Sequence, residues 1–232
     1  MKIKIKREEF VEYEVAMQNA TLLEVLGEIK TKQDATLTYS SGCRSSVCGS
    51  CSVRVNGKEV LACGYKVQEG DLVEPLRNVT VLRDLVVDME RAYSLNVKAK
   101  AWQTHESSIS LTPEDEKRNE VQSDCILCGS CYSACPVYAV NEEFLGPFAL
   151  TRVWRYVSDA REDGVQTKIE NIQTNGVWDC TLCNECTMVC PQEISSKADI
   201  EKLRSKSVML GFTDPSFSNF GGGFGFDGSP SF

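Results

Sequence analysis

Alternating apolar and polar positions at the start of the chain predict a β-hairpin. Residues Lys2–Lys6 and 11–16 alternate with period two on either side of the charged residues 7–9. Two more short strands, Ser52–Val55 and 59–62, are predicted on either side of Asn56-Gly57, because this dipeptide readily takes the left-handed angles of a tight turn. The first hundred residues are therefore expected to form a mixed unit of strands and helix.

Apolar residues at helical spacing follow the first hairpin and return in the second half. Thr21 can cap a first helix, Pro147 suits the first turn of another that runs to about residue 160, and Ser195 or Ser196 can start a third. The apolar residues expected on the buried sides of these helices are Leu22, Leu23, Val25, Leu26, Ile29, Leu150, Val153, Trp154, Val157, Ile200 and Leu203.

Two polar segments divide the chain. Residues 94–120 contain many charged residues and a proline and are predicted to be a linker. From about residue 213 the chain is rich in Gly, Phe, Ser and Pro, a composition that cannot build a core, although its phenylalanines could dock on a partner. The pattern predicts an α+β protein of two domains, residues 1–100 and 101–212, with a tail at 213–232.

Charge and hydropathy remove several classes of partner. The 232 residues carry a formal net charge of −8, whereas a protein that binds nucleic acid needs a basic face. No apolar run approaches the roughly 20 residues that span a bilayer, and the start lacks the apolar centre of a secretory signal. We therefore expect no nucleic acid partner and no membrane span, and any export or membrane attachment would depend on a partner.

The twelve cysteines fall into three groups of four with short internal spacing, which favours shared metal centres over disulfides. The first group opens with C-x4-C-x2-C, the plant-type spacing of a [2Fe–2S] cluster, in a loop rich in Gly and Ser. Its predicted ligands are Cys43, Cys48, Cys51 and Cys63. A zinc site is the alternative, but zinc prefers paired C-x2-C knuckles.

The second and third groups each match C-x2-C-x2-C-x3-C-P, so the second half contains an internal repeat. In two-cluster ferredoxins the fourth cysteine of one run binds the other cluster. One predicted [4Fe–4S] site therefore comprises Cys125, Cys128, Cys131 and Cys190. The other comprises Cys135, Cys180, Cys183 and Cys186. Pro136 and Pro191 turn the chain away after the fourth cysteine of each run.

Three clusters on one chain predict a path for single electrons and no substrate-converting site. His105, the only histidine, lies in the polar linker and is given no role. The glycines at 221–223 neither follow a strand nor open a helix, so they do not predict a dinucleotide loop. Catalytic residues are therefore expected on another subunit.

The order of the cysteine groups resembles the iron–sulfur subunit of succinate dehydrogenase and fumarate reductase. The resemblance covers roughly residues 1–212 and includes the segments LRDLVVD at 82–88 and NEEFLGP at 141–147. It implies a β-grasp ferredoxin domain, an α-helical ferredoxin-like domain, a flavoprotein partner that carries FAD, and a membrane-associated partner linked to quinone. It also implies that the [2Fe–2S] cluster lies nearest the flavin and the cluster at Cys180 lies farthest from it.

Three positions depart from most members of that family. Cys183 supplies a fourth ligand where most members hold [3Fe–4S], so [4Fe–4S] is predicted and [3Fe–4S] is the alternative. Thr181 and Val140 stand where many quinone-reducing members have His and Trp. These departures resemble the variant that pairs with a cysteine-rich membrane-associated subunit.

The resemblance leaves alternatives open. The same path could serve a thiol-dependent fumarate reductase, a hydroxy-acid dehydrogenase or a heterodisulfide-type complex, and a zinc-binding module is a remote possibility from another class. The complex is expected on the cytoplasmic face of a membrane, or on the periplasmic face if the flavoprotein carries an export signal.

Overall fold

The computed structural model describes residues 1–104 and 107–218. His105 and most of the predicted tail lie outside the described residues. The chain forms a region of β-sheet followed by a region of helices, which confirms the predicted α+β class.

A five-stranded sheet forms the N-terminal region, with strand order β2-β1-β5-β3-β4. Strands β1 and β2 pair antiparallel, as do β3 and β4, and both predicted hairpins are confirmed. The central strand β5 runs parallel to β1 and antiparallel to β3, so a distant segment joins the two hairpins. The strands are β1 (Lys2–Lys6), β2 (Phe10–Glu14), β3 (Ser52–Val55), β4 (Lys58–Leu61), β5 (Leu72–Glu74) and the separate pair β6 (Thr80–Arg83) and β7 (Val86–Asp88).

Helix α1 (Leu22–Lys32) covers this sheet. Thr21 is its N-cap, as predicted: the Thr21 hydroxyl accepts from Glu24 N at 3.3 Å, and the Glu24 carboxylate accepts from Thr21 N at 2.7 Å. This capping box satisfies backbone donors that the first turn leaves free. All five apolar residues predicted for its inner face are buried against the sheet.

The C-terminal region consists of helices around a second apolar core. The long helices α7 and α10 pack together and begin at the predicted positions, with Pro147 in the first turn of α7 and Ser195 as the N-cap of α10. The helices are α2 (Glu90–Lys98), α3 (Pro113–Lys117), α4 (Glu120–Ser123), α5 (Ser130–Ala134), α6 (Pro136–Val140), α7 (Gly146–Val157), α8 (Val165–Asn171), α9 (Glu185–Met188), α10 (Ser196–Met209) and α11 (Pro215–Ser218).

The predicted linker at 94–120 is wrong in its first part. Helix α2 occupies Glu90–Lys98 and buries Ala92 and Leu95 against α7 in the second core. Its apolar face is too narrow to stand out from the polar sequence, so only tertiary packing reveals it. No helix within residues 1–104 and 107–218 is long and apolar enough to cross a bilayer.

Polar contacts join the two regions directly. The Ser133 hydroxyl on α5 donates to the buried carboxylate of Glu59 on β4 at 2.7 Å and accepts from Arg77 N at 2.9 Å. The Asn78 amide donates to the carbonyls of Ser133 and Cys135 at 2.9 and 3.2 Å. These contacts hold the N-terminal region against helix α5 and the second cysteine group.

Candidate iron–sulfur cluster sites

The first cysteine group lies in the loop between α1 and β3, with Cys63 just after β4. Cys43 Sγ accepts backbone N–H groups from Ser45, Val47 and Cys48, each at 3.3 Å. Cys63 Sγ accepts from Ser46 N at 3.2 Å and lies 3.4 Å from Cys51 Sγ. The structure therefore brings the loop cysteines and Cys63 together and directs the loop's amide groups at their sulfurs.

The loop shifts the pKa values of two of these thiols in opposite directions. The amide of Cys43, together with the Ser50 hydroxyl, lowers the pKa of Cys48 to about 6. Burial raises the pKa of Cys51 to about 11. A bound metal would favour the thiolate form of this buried sulfur at neutral pH. Gly42 has to be small, because a Cβ there would lie 2.8 Å from Cys48 Sγ.

The second group, together with one cysteine of the third, lines a small cavity in the helical region. We call this the Cys125 cavity; its sulfur-bearing residues are Cys125, Cys128, Cys131 and Cys190. Phe148 and Ile194 complete its apolar wall, and Thr151 and Ser196 also line it. Burial raises the pKa of Cys131 well above its ordinary value. Four sulfurs in one small, mostly apolar cavity match the donor set that a cuboidal cluster requires.

The remaining four cysteines also lie together. Burial, followed by the nearby sulfurs of Cys180 and Cys135, raises the pKa of Cys186 to about 12. The sulfur of Cys183 is close enough to help raise the pKa values of Cys135 and Cys186. Cys183 is the exposed member of this set. Cys190 of the third motif therefore lies with the second group, and Cys135 of the second motif lies with the third group. This is the exchange that the spacing predicts.

The two motifs repeat in backbone conformation as well as in sequence. Leu127 and Leu182 both have positive φ, at 57° and 55°, and Gly129 and Asn184 follow at 80° and 74°. In the third group this turn directs Leu182 N towards Cys180 Sγ at 3.4 Å. A left-handed backbone is unfavourable for leucine, so both motifs keep a strained turn at the same position. Such strain is typical of functional sites.

Ligand spacing separates a cluster site from a single-ion site. Zinc sites built from cysteine prefer paired C-x2-C knuckles. The first group instead has the spacing C-x4-C-x2-C, and the second and third match C-x2-C-x2-C-x3-C-P. These are the spacings of iron–sulfur ligands, which favours clusters over the zinc alternative.

Two family models match the chain. A 2Fe-2S iron-sulfur cluster binding domain matches residues 2–94, and a 4Fe-4S dicluster domain matches residues 121–194. The fumarate reductase iron-sulfur subunit of Haemophilus influenzae is 36% identical over 218 residues, which cover 84% of this chain and 85% of that subunit. The chain belongs to the fumarate reductase and succinate dehydrogenase iron–sulfur subunit family.

One more relative and one solved structure are similar to this iron–sulfur subunit. The 8-methylmenaquinol:fumarate reductase iron-sulfur subunit of Wolinella succinogenes is 37% identical over 207 residues, and the match covers 82% of this chain but 65% of that longer subunit. A chain of the Mycobacterium smegmatis Sdh1 complex in the apo form shares the fold with a TM-score of 0.82 at 23% identity, covering 92% of this chain and 98% of its own.

Sequence reasoning missed the polar residues that hold the cysteine loops of this iron–sulfur subunit in place. Arg204 on α10 donates to the carbonyl of Cys180 at 2.6 Å, and the Gln192 amide donates to the Ser46 carbonyl at 3.3 Å. Gly49, one of the small residues expected in the first cysteine loop, makes a contact that was not expected: it lies against residues 126–128, where an added Cβ would be 2.7 Å from Ile126 O. No motif spacing marks these residues, since each is a single residue distant in sequence from its contact.

Proposed function

We propose that this chain transfers electrons within a fumarate reductase or succinate dehydrogenase complex. Its proposed [2Fe–2S] ligands are the first cysteine group, and its two cuboidal clusters are held by the Cys125 cavity and by the set that contains Cys183. The main support for this proposal is that Cys190 lies beside the cysteines of the second motif and Cys135 lies beside those of the third. When bound, the clusters supply one-electron carriers.

The protein's own residues orient and insulate these centres. Amide groups directed at Cys43 and Cys63 stabilise negative charge on sulfur, and such hydrogen bonds tune the potential of a cluster. Burial of Cys131 and Cys186 excludes water from the inner faces of both cuboidal sites. The contact of Gly49 with residues 126–128 brings the first cysteine loop against the edge of the Cys125 cavity, which supports electron passage between them.

We assign the finer domain folds by the same family relation. The sheet order, with a parallel pair of β1 and β5 at its centre and α1 across one face, supports a β-grasp fold for the N-terminal domain. The repeated cysteine turns and short helices α5 and α9, which pack together, support an α-helical ferredoxin-like fold for the C-terminal domain. The proposed domains keep the ranges 1–100 and 101–212, and α2, at the end of the first range, packs on the core of the second.

The distal site is proposed to hold [4Fe–4S]. Cys183 lies with Cys135 and Cys186, so a fourth thiol is present where three would suffice for [3Fe–4S]. Because Cys183 is exposed, this end of the chain is open to a partner. Thr181 and Val140, which replace the His and Trp of the usual quinone pocket, support a cysteine-rich membrane-associated partner.

The partners proposed are a flavoprotein with FAD at the [2Fe–2S] end and a quinone-linked subunit at the distal end. The name of the Wolinella relative specifies a menaquinol and fumarate as the reacting pair, and we extend that substrate class to the complex of this chain. The complex would be membrane-associated through its partners, with the cytoplasmic face proposed.

Anaerobic purification of the native complex tests the proposal. We expect about ten irons per chain, the ~2 + 4 + 4 of the three ligand sets, a copurified flavoprotein, and bleaching of the cluster absorption by succinate that fumarate reverses. Zinc in place of iron, or an iron-loaded complex that neither succinate nor fumarate affects, would refute it.

A further inference from the structure

A buried carboxyl group lies beside the Cys125 cavity. Asp199, in the first turn of α10, is 1% exposed. The Gln122 amide on α4 donates to Asp199 Oδ1 at 2.8 Å, whereas Oδ2 is buried and finds no hydrogen-bond partner among the described residues. Thr151 on α7 lies beside this carboxyl group and also lines the Cys125 cavity. Thr151 therefore lies next to both the carboxyl group and the cavity that the cysteine sulfurs line.

Few charges face this carboxyl group. From α10 itself, Lys202 Nζ lies 3.7 Å from Oδ1, and its side chain is about half exposed. Helix α4 presents the neutral amide of Gln122, and α7 presents the Thr151 hydroxyl. Burial raises the pKa of the Cys125 thiol, and Arg152, the next residue of α7, lies near that thiol and opposes the rise. Burial raises the pKa of Asp199 to about 6, although Lys202 opposes the rise.

We propose that Asp199 takes up a proton when the cluster in the Cys125 cavity is reduced. This role rests on the proposed function, since it needs a cluster in that cavity. One electron, which the flavoprotein partner supplies, enters the cavity, and one proton is transferred from a hydronium ion of the solvent to the carboxylate. The O–H bond of hydronium breaks, an O–H bond forms at the carboxylate, and a water molecule is left. The combined charge of cavity and carboxyl group is unchanged.

Charge repulsion in a buried, mostly apolar site couples reduction of the cluster to protonation of Asp199. An electron added beside a buried carboxylate places two negative charges in a region of low dielectric, so the protonated acid becomes the stable form. The unpartnered Oδ2 can carry the proton without losing a hydrogen bond, because Gln122 bonds to Oδ1. Lys202, which reaches from the carboxyl group to the surface, connects the site to solvent.

Redox titration of the native complex over pH 5–9 tests the proposal, with each cluster followed by EPR and the signal of the Cys125 cavity identified by its alteration in Cys128→Ser. We expect the potential of that cluster to fall as pH rises, by up to about 59 mV for each tenfold drop in proton concentration. The fall should be confined to a window that begins near the pKa of Asp199, about 6. In Asp199→Asn the potential should be independent of pH and close to the wild-type value at low pH.

Two more variants separate this role from a general charge effect. Glu201→Gln removes the same charge from the exposed face of α10 and should leave the slope intact. Lys202→Gln removes the cation beside Asp199 and should move the sloping window to higher pH, which tests the role even if Asp199→Asn does not retain its iron.

The outcomes distinguish the proposed role of Asp199 from the proposed electron-transfer function. A complex with a full complement of iron whose potential does not vary with pH, or varies equally in Asp199→Asn, overturns the role of Asp199 alone. A complex without iron overturns both.

Discussion

Replacing Gly49 by alanine places a methyl group where two cysteine loops meet. Gly49 has φ of 71°, and an added Cβ would lie 2.7 Å from Ile126 O and 2.8 Å from the Cβ of Cys128, against the 3.4 Å at which ordinary contact begins. The left-handed backbone costs a non-glycine residue about 1–2 kcal/mol. Forced contact in a packed site adds about 1–3 kcal/mol. We therefore expect Gly49→Ala to destabilise the protein by about 2–5 kcal/mol.

Gly70 provides a matched control for this experiment. Its φ is 82°, and an added Cβ would meet nothing within 4 Å, so Gly70→Ala carries only the backbone cost. The urea midpoints of both variants, measured anaerobically by circular dichroism on iron-loaded protein, convert to free energies with the wild-type slope. The difference between the variants isolates the contact between the loops. Equal midpoints would refute the close approach of Gly49 to residues 126–128.

Three further changes test other parts of the structure. Cys183→Ser leaves three thiols at the distal site, so the iron assay should fall from about ten to about nine per chain and an EPR signal should appear in the oxidised protein; such a signal in the intact wild type contradicts the four-ligand site. Lys168→Met leaves the carboxylate of Glu162, whose side chain is 0% exposed, without its cation, and should lower the free energy of unfolding by about 3–5 kcal/mol; a loss below about 1 kcal/mol in urea titrations would contradict a buried ion pair. Asp199 has a folded-state pKa of about 6, above its ordinary 3.8, so the stability that its proton provides should be lost as pH rises from about 4 to 6, and Asp199→Asn should abolish that part of the pH dependence of the urea midpoint.

Ligand spacing predicts three sets of four cysteines because it reflects the dimensions of what is bound. The structure brings members of each set together, and the assignment of each cysteine to a cluster stays a prediction. The turn at Leu127 recurs at Leu182 since both motifs wrap around similar centres. Local signals also located the start of α1 at Thr21 and the tight turn at Asn56, where single side chains determine backbone geometry.

Contacts between distant residues could not be predicted in this way. Strand β5 has only three residues, and its parallel pairing with β1 depends on the whole sheet. Helix α2 buries too few residues to show a helical period. The bond from Gln122 to Asp199 joins residues 77 apart, and neither lies in a motif. Such pairs are specified by three-dimensional packing, which spacing along the chain does not record.

The exchange of Cys135 and Cys190 has a consequence for how the cell makes this protein. On the proposed ligand assignment, while the ribosome translates the segment between Cys135 and Cys180 the polypeptide contains three of the four cysteines of the Cys125 cavity and only one of the four distal ligands. Iron delivered early would meet incomplete sites, so biogenesis of the two cuboidal centres has to wait for nearly the whole chain and then proceed in concert.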